Sequence, residues 1–307
     1  MSMLIGSFSP GQKTVLTMHN PVSSLKRLIR PLKTPIQLLL DWPGVLLSLK
    51  VNLLQRKTVF VDQFGYRFWL YPGDNVRTNS KRSSVIDSTG VIIFIQQHVH
   101  KGDICLDIGT HYGGTSVPMW SRCGLTGKVI SVEADPTKLS RIMENLALNG
   151  FPSDYVINAA MSDEVTSRPF RVFPGAPGWN TFGDPPFARD HESHLVDVNC
   201  IDFVSMAEEQ GLTHVDFIKI DVEGAEMLVL KGMRPWLEDG RIHRIVFEVN
   251  PLMLPGLNST VAELLAFWQN LPFQLFRLDK QGELQPLSAS WPTGEVGDCV
   301  AVYTGER

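Results

Sequence analysis

The residues with the clearest chemical potential follow a short apolar run at 103–108. Asp107, Gly109 and Gly113 form the pattern Asp-x-Gly-x-x-x-Gly, and His111 lies between the two glycines. Glycine at the end of a strand lets the backbone turn sharply and approach a ligand closely. The pattern therefore predicts a binding loop between a buried strand and the helix that follows it.

A second acidic residue indicates what the loop holds. Glu133 ends the next apolar run, 128–133, and Ala134 follows it. In nucleotide-binding α/β units, a carboxylate at this strand end accepts hydrogen bonds from both ribose hydroxyls. We therefore expect Glu133 and Ala134 to contact an adenosine-like ligand. Ser162 or Asp163, beyond the next predicted strand, is expected at the adenine edge, and we count Asp163 among the cofactor-binding residues.

The glycine spacing distinguishes two ligands of this kind. A dinucleotide fold uses Gly-x-Gly-x-x-Gly, which lets a pyrophosphate approach a helix N-terminus. Here His111 replaces the middle glycine, and the carboxylate of Asp107 would repel a phosphate. S-adenosylmethionine carries an ammonium, a sulfonium and a ribose but no phosphate. The loop therefore favours S-adenosylmethionine over NAD, with Asp107, Gly109 and Gly113 near its methionine part.

Further carboxylates follow other apolar runs. Asp221 comes directly after the run 215–220, and Glu248 lies near the end of another run. Ligand sites in open parallel sheets collect at the carboxyl ends of the strands. Asp107, Glu133, Asp221 and Glu248 are therefore expected to converge on one crevice.

Methyl transfer from a sulfonium needs a well-placed nucleophile, and a hydroxyl nucleophile gains from a nearby general base. We predict Asp221 and His111 as the catalytic residues. His191 and His194, in the proline- and glycine-rich stretch 171–195, are alternatives for the base. That stretch is expected to be irregular and to form either a wall of the substrate site or a surface excursion.

A metal-assisted mechanism is an alternative. Asp221, Glu248 and Asn250 carry oxygen ligands of the kind that Mg²⁺ accepts. Their spacing is not specific for a metal, so we predict no metal ligand and S-adenosylmethionine as the cofactor.

The elements that must position these residues alternate along the chain. A β-hairpin is expected at 58–71, and two closing antiparallel strands at 273–278 and 299–303. The order between them predicts an α/β fold of the Rossmann-like type, with a mostly parallel seven-stranded sheet and helices on both faces. The predicted parallel strands are 103–108, 129–133, 155–158, 215–220 and 244–249. The predicted helices are 89–99, 115–123, 136–149, 201–209, 225–231 and 261–270.

Composition limits the class of protein. The chain has 307 residues, 43% of them hydrophobic and 20% charged, as in ordinary globular enzymes. A net charge of −4 gives no broad reason to bind nucleic acid. The four cysteines are widely spaced, which favours a reduced, cytoplasmic compartment. We expect an N-terminal helical and β-hairpin extension at 1–85 and a cofactor-binding domain at 86–307.

The N-terminus is basic. Residues 1–40 contain no Asp or Glu, and the apolar run 36–49 is too short and too broken to cross a bilayer. Two interpretations stay open: a segment that makes weak peripheral contact with a membrane surface, or a helical cap on the domain. We favour the cap.

Five motifs between about 102 and 250 are similar to those of a known family. They are Asp107-Ile-Gly109, Val132-Glu133-Ala-Asp-Pro136, Asn158-Ala-Ala-Met-Ser-Asp163, Val198-x-Cys-Ile-Asp202 and Lys219-Ile-Asp221-Val-Glu223-Gly-Ala-Glu226-x-x-Val229-Leu-x-Gly232. Over this range the chain resembles the FkbM methyltransferases, which use S-adenosylmethionine. The resemblance implies a class I methyltransferase sheet and O-methylation of a hydroxyl on a sugar, glycolipid, polyketide or similar small molecule. The chain departs from the family at Thr110-His111, where Ala-Asn is usual.

Two other functions compete with a methyltransferase. A nucleotide-linked oxidoreductase is opposed by the missing glycine and by Asp107. A catalytically silent binding or scaffold protein with the same fold is opposed by the set Asp107, Glu133 and Asp221, which such a protein need not keep. The expected partner is a small-molecule or glycan hydroxyl acceptor, while the sequence does not indicate an oligomeric state.

Overall fold

The computed structural model describes residues 50–74, 89–287 and 291–305, together with the backbone of 76–77 and 82–83. The basic segment that we expect to be a cap or a membrane contact lies outside these residues. Among the described helices, none combines the length and the apolar character that crossing a bilayer requires.

The described residues include fifteen strands and six α-helices, in addition to helical residues at 50–54. The strands are β1 Thr58–Val61, β2 Arg67–Leu70, β3 Val76–Arg77, β4 Arg82–Ser83, β5 Ile104–Ile108, β6 Lys128–Glu133, β7 Val156–Asn158, β8 Ala160–Ser162, β9 Thr166–Val172, β10 His194–Asp202, β11 Phe217–Ile220, β12 Arg244–Val249, β13 Phe273–Leu278, β14 Leu284–Pro286 and β15 Gly297–Tyr303. The helices are α1 Thr89–His98, α2 Ser116–Cys123, α3 Leu139–Leu148, α4 Phe203–Glu209, α5 Glu226–Glu238 and α6 Val261–Ala266.

A central sheet carries the ends of the predicted parallel strands. Its order is β14-β13-β15-β12-β11-β5-β6-β7. The five strands from β12 to β7 are parallel, and β15 is antiparallel to both β12 and β13. The α/β prediction is confirmed, including the closing pair. The sheet has eight strands rather than seven, because the short strand β14 pairs with β13 at the edge.

The strand order fixes where a ligand can bind. From β5 the chain runs outward to β6 and β7, and it later returns to place β11 on the other side of β5. The connections therefore diverge at the carboxyl ends of β5 and β11, and a crevice opens there. Gly109 and Asp221 follow these two strands directly.

Both faces of the central strands are covered. In β11, Ile218 and Ile220 pack into one hydrophobic cluster and Phe217 into the cluster on the opposite face. Strands buried on both faces consist of continuous apolar runs, which is why these strands could be predicted. The functional residues follow strands that the core holds rigidly.

The predicted N-terminal hairpin is present as β1 and β2. The carboxylate of Asp62 accepts the backbone N–H groups of Phe64 and Tyr66 and closes the turn. Phe68 and Leu70 are buried in the same hydrophobic cluster as residues of α1 and α2. This part of the expected 1–85 extension therefore packs on the core of the sheet, and the boundary near 85 stays a prediction.

The stretch 171–195 differs from the prediction. β9 and β10 form a regular antiparallel ladder, and β10 also pairs with β8 in a second, three-stranded sheet. Only the connection 173–193, which we call the strap, is irregular. The helix expected at 201 begins at Phe203 instead, because Asp202 is still in β10 and its carboxylate caps α4. α5 extends to Glu238, beyond the predicted end, whereas α6 stops at Ala266, before the predicted one.

Candidate functional site

A cavity of about 230 Å³ lies at the carboxyl ends of β5, β6 and β11. Its walls come from the glycine loop after β5, from β8, from the turn after β11 and from the strap. Five of the predicted site residues line this cavity: Gly109, His111, Glu133, Ala134 and Asp221. Of the four carboxylates expected to converge on one crevice, Glu133 and Asp221 line this cavity, whereas Asp107 and Glu248 do not.

Asp107 does not line the cavity. Its side chain is fully buried, and its carboxylate accepts the hydroxyls of Thr110 at 2.7 Å, Thr115 at 2.8 Å and Ser116. These bonds fasten the glycine loop to the start of α2. The expectation that Asp107 meets the ammonium of a ligand is thus replaced by a role in shaping the loop. The three hydroxyls that donate to its carboxylate belong to residues three to nine positions after Asp107 in the chain.

Gly109 is required for a reason that differs from the predicted one. Its φ is +80°, and a Cβ there would lie 1.8 Å from the carbonyl oxygen of Asp221. The close approach is thus between β5 and β11 rather than between the backbone and a ligand. Gly113 also has a positive φ, of +85°, but its Cβ would meet only Ile142, at 4.0 Å. It belongs to the turn and does not line the cavity.

Glu133 is the carboxylate that the cavity encloses most completely, at 4% exposure. Its Oε2 accepts the N–H of His111 at 2.8 Å, and its Oε1 accepts the N–H of Asp135 at 3.0 Å. The Nζ of Lys138 lies 3.5 Å from Oε1. Burial raises the pKa of Glu133, while Lys138 and the two N–H groups act against that rise. Each oxygen retains a lone pair for a hydroxyl donor.

His111 combines a positive φ with a buried ring nitrogen that makes no hydrogen bond among the described residues. Its φ is +54°, a strained value for a side chain of this size, and strain of this kind collects at functional sites. Its Nε2 is buried without a hydrogen-bond partner. Burial lowers the pKa of His111 well below its usual value, and the nearby cations Lys138, Arg141 and Lys219 lower it further. The imidazole is therefore neutral at physiological pH and can accept a proton.

Asp221 lies opposite, beside a buried lysine. Lys219 is 3% exposed, and its Nζ donates to Asp221 Oδ2 at 2.9 Å. Asp221, Glu223 and Glu248 have carboxylate oxygens within 4.8 Å of one another. Asn250, predicted with Asp221 and Glu248 as an oxygen ligand, instead donates an N–H of its side-chain amide to Glu248 Oε2 at 3.1 Å. Asp221 and Glu223 line this end of the cavity together with Lys219, whereas burial and the neighbouring acids raise the pKa of Glu248 well above its usual value. Two carboxylates beside one cation favour a cationic ligand group.

Asp163 lies outside the cavity lining. Its carboxylate accepts the Ser162 hydroxyl at 3.1 Å and lies 3.5 Å from Arg168. It therefore does not occupy the adenine edge that we expected for it. Met161, Phe170 and Phe182 line the cavity in that region instead.

These apolar residues were missed from the sequence. Phe170 and Phe182 meet edge to face at 5.4 Å, and both pack against Ala160 of β8. With Ala134 they form an apolar slot beside Glu133, suited to a flat ring. Phe170 lies in β9, a strand that was not predicted from the sequence.

Two consecutive residues near the middle of the strap fasten it to opposite sides of the cavity. The Asn180 side chain donates to Asp135 Oδ2 at 2.9 Å and accepts the N–H of Phe173 at 2.9 Å. The hydroxyl of Thr181 donates to the carbonyl of Glu223 at 2.7 Å. The strap therefore joins the turn that carries Asp135 to the turn after β11, and it roofs the space between them. His191 packs on Trp179 and does not line the cavity, nor does His194.

Glu226 is fully buried beside the acidic end. Its Oε1 accepts the N–H groups of Val222 and Gly224, and its Oε2 has no partner. Burial, with the charge of Asp221, raises its pKa from 4.5 to about 7. It does not line the cavity, in agreement with the structural role that its position in the first turn of a helix suggests.

This pKa predicts how stability depends on pH. The folded protein keeps the proton of Glu226 up to about pH 7, whereas the unfolded chain loses it near 4.5. Between these values the folded state binds more protons, so the free energy of unfolding falls as pH rises, by up to ~3 kcal/mol. In Glu226→Gln this component is absent. When Tm is measured at about pH 5 and at about pH 8, it should fall less between these two pH values in Glu226→Gln than in the wild type.

Glu238→Gln is the matched control for this prediction. Glu238 ends the same helix, is exposed, and pairs only with Arg234 at 3.0 Å among the contacts described. Its replacement should leave the pH dependence of the wild type in place. If Glu226→Gln shows the same drop in Tm as the wild type, the assigned titration of Glu226 is wrong.

The model of the methyltransferase FkbM domain matches residues 107–275, more than half of the chain. The match begins at Asp107, near the end of β5, and includes β6 to β12 and the strap.

A curated relative is methyltransferase sdnD of Sordaria araneosa. It is 27% identical over 154 residues, which cover 42% of this chain and 59% of the relative. The chain thus aligns with less than two thirds of that protein's length.

Solved structures give weaker likenesses. The SAM-dependent O-methyltransferase of Thermotoga maritima has a TM-score of 0.40 at 14% identity, over 82% of this chain and 94% of its own. The O-methyltransferase TomG of Streptomyces achromogenes, solved in complex with SAM, has a TM-score of 0.38 at 12% identity, over 72% and 82% of the two chains. The fold assignment rests on the strand order described above and not on these scores.

Proposed function

The chain belongs to the FkbM methyltransferase family, and we propose that it transfers the methyl group of S-adenosylmethionine to a hydroxyl of a sugar, glycolipid, polyketide or similar small molecule. The observation that carries this proposal is the pairing of Glu133 with an apolar slot at the switch point of the sheet. We further propose that the protein works in the cytoplasm, with weak peripheral contact to a membrane as an alternative.

The cavity suits the chemical parts of S-adenosylmethionine. The buried carboxylate of Glu133 offers acceptors for two ribose hydroxyls. Ala134, Met161 and Phe170 offer apolar contact for adenine. The acidic end at Asp221 favours the cationic sulfonium and ammonium. A phosphate-bearing dinucleotide would meet these carboxylates instead, which disfavours the oxidoreductase.

When bound, S-adenosylmethionine supplies a methyl group already activated for in-line displacement. The protein must therefore place the hydroxyl and take up its proton. His111 is suited to the second task, because it lines the cavity, its imidazole is neutral, and its buried Nε2 has no hydrogen-bond partner among the described residues. Asp221, held by Lys219, is suited to orienting the hydroxyl. With the cofactor and an acceptor bound, Asp221 would orient the hydroxyl, and His111 would take up the proton that the hydroxyl loses as its oxygen gains the methyl group.

This assignment predicts the effect of His111→Asn. Asparagine tolerates a positive φ as histidine does, so the backbone N–H to Glu133 is kept while the base is removed. We expect kcat to fall by roughly 100-fold while the Kd for S-adenosylhomocysteine changes less than about 3-fold. His191→Asn, on the strap and outside the cavity lining, should keep the wild-type kcat.

The pH profile supplies a second readout for the base. Because the pKa of His111 is depressed, the wild-type rate should stay level on going from about pH 8 to about pH 6 and fall only under more acidic conditions. A His111→Asn enzyme with unchanged kcat would move the proton-accepting role to Asp221.

The acceptor class is tested with S-adenosylmethionine labelled in its methyl group. Sugars, glycolipids and polyketide alcohols are incubated with the wild-type protein, and the product is analysed for a labelled methyl ether. Acceptor-dependent release of S-adenosylhomocysteine together with such a product supports the proposal. Cofactor binding without turnover on any of these hydroxyl acceptors would favour a binding or scaffold protein.

A further inference from the structure

Lys138 is a buried cation between the ribose-binding carboxylate and the strap. It is 5% exposed and lines the cavity. Its Nζ lies 3.5 Å from Glu133 Oε1 and donates to the carbonyl of Pro177 at 3.0 Å. An ammonium group enclosed in this way needs both partners, because it has lost most of its hydration.

Glu133 depends on this cation. With 4% exposure, its carboxylate would favour the protonated form if no positive charge lay nearby. Lys138 is the largest of the influences that lower the pKa of Glu133 against the effect of burial. A protonated carboxyl group would present a hydroxyl donor where the ribose needs an acceptor.

We propose that Lys138 is a positioning residue for the cofactor: it keeps Glu133 an oriented carboxylate that accepts the ribose hydroxyls, and it fixes the strap at Pro177 over the same end of the cavity. The inference rests on the proposed function, because it assigns how the ribose contact is maintained. Lys138 acts through Glu133 and takes no part in the methyl transfer itself.

The other groups around Glu133 do not supply this charge. His111 and Tyr112 belong to the glycine loop; burial lowers the pKa of the first and raises the pKa of the second, so both are neutral near pH 7. Asp135, on the turn after β6, is a second acid whose charge opposes the ionisation of Glu133. From the strap, the contact is the carbonyl of Pro177. Among the described residues, Lys138 is thus the cation paired with Glu133.

The two roles of Lys138 can be separated by variants. Lys138→Met keeps the length of the side chain and removes the charge, while Lys138→Arg keeps the charge. Asn180→Ala releases the strap from Asp135 without touching the ion pair. A loss that comes from the strap alone should not depend on pH, whereas a loss that comes through Glu133 should shrink as pH rises.

The experiment is calorimetric titration of S-adenosylhomocysteine into each full-length variant from about pH 6 to about pH 9. We expect Lys138→Met to weaken binding ~30-fold relative to wild type at the lower pH and ~3-fold at the higher, because Glu133 is deprotonated again. Lys138→Arg should stay within about 3-fold of wild type throughout, since it retains the charge. Asn180→Ala should show a loss that is constant with pH.

A double variant makes the test independent of the pH series. If Lys138 acts through Glu133, adding Lys138→Met to Glu133→Gln should weaken binding by less than about 3-fold further. Full additivity, or a pH-independent loss in Lys138→Met, would overturn the inference that Lys138 acts through Glu133, would leave Lys138 with its strap contact alone, and would leave the proposed function intact. A wild-type protein that does not bind S-adenosylhomocysteine at all would overturn the proposed function first, and this inference with it.

Discussion

Replacement of Gly109 by alanine is expected to abolish cofactor binding and to lower stability by about 3 kcal/mol or more. The added Cβ would lie 1.8 Å from the carbonyl oxygen and 2.8 Å from the carbonyl carbon of Asp221. Neither backbone segment can yield easily, because the N–H of Asp221 donates to Ile108 at 3.0 Å where the two strands end. The clash between the added Cβ and this carbonyl can therefore be removed only if the ends of β5 and β11 separate at the edge of the cavity. Thermal unfolding and titration with S-adenosylhomocysteine measure the two effects.

Gly102→Ala is the matched control for this substitution. Gly102 has a similar φ of +92°, but nothing lies within 4 Å of the position of its Cβ. It should show only the backbone penalty, on the order of 1 kcal/mol, and wild-type affinity. A Gly109→Ala protein with the affinity and stability of Gly102→Ala would show that the contact between the strand ends is not important.

Glu133→Gln is expected to weaken binding of S-adenosylhomocysteine by ~100-fold or more, because charge-assisted hydrogen bonds are worth about twice neutral ones. Glutamine offers one acceptor oxygen, and its amide would face a backbone N–H, either of His111 or of Asp135. The substitution of Glu133 by glutamine also leaves the buried ammonium of Lys138 without its negatively charged partner. Calorimetry with purified, folded protein gives the change in Kd directly.

Glu144→Gln controls for the loss of one negative charge. Glu144 pairs with Lys57 on the outer side of α3 and is not part of the cavity wall. Its affinity for S-adenosylhomocysteine should be unchanged. Affinity of Glu133→Gln within about 3-fold of the wild type would mean that the ribose contact lies elsewhere.

The sheet and the position of its crevice could be predicted because their signals are local. Strands β5, β6 and β11 are buried apolar runs; a glycine follows β5 directly, an acid ends β6 and another acid follows β11. The order of strands and helices then determines which ends meet. Glu133 and Asp221 were found in this way, although Asp221 lies more than eighty residues after Glu133 in the chain.

The roles of Asp107 and Gly109 could not be predicted, because each depends on residues that the fold brings in. Asp107 has the right position for a ligand contact, yet hydroxyls of Thr110, Thr115 and Ser116 occupy its oxygens. Gly109 has the expected turn and lines the cavity, but the atom that excludes a Cβ there is the carbonyl oxygen of Asp221, which follows β11. A motif gives the residue type, and only the packing around it decides what the residue contacts.

Strand β10, which follows the strap, shows a different limit of prediction from the sequence. Alternation of Val196, Val198 and Cys200 with polar residues is the pattern of a half-buried strand, and the prolines and glycines before it obscured this signal. Lys138 was missed because nothing at the start of a helix marks a buried cation. Its partners, Glu133 and Pro177, lie on separate elements that meet only in the folded protein.

The most direct test of the central claim is calorimetric binding of S-adenosylhomocysteine to the wild-type protein, with NAD as the comparison ligand. We predict one site per chain with a Kd in the range of roughly 1–100 μM, and no heat of binding from NAD. Absence of binding by folded protein, or preference for NAD, would contradict the assignment of the cavity to S-adenosylmethionine and with it the proposed methyl transfer.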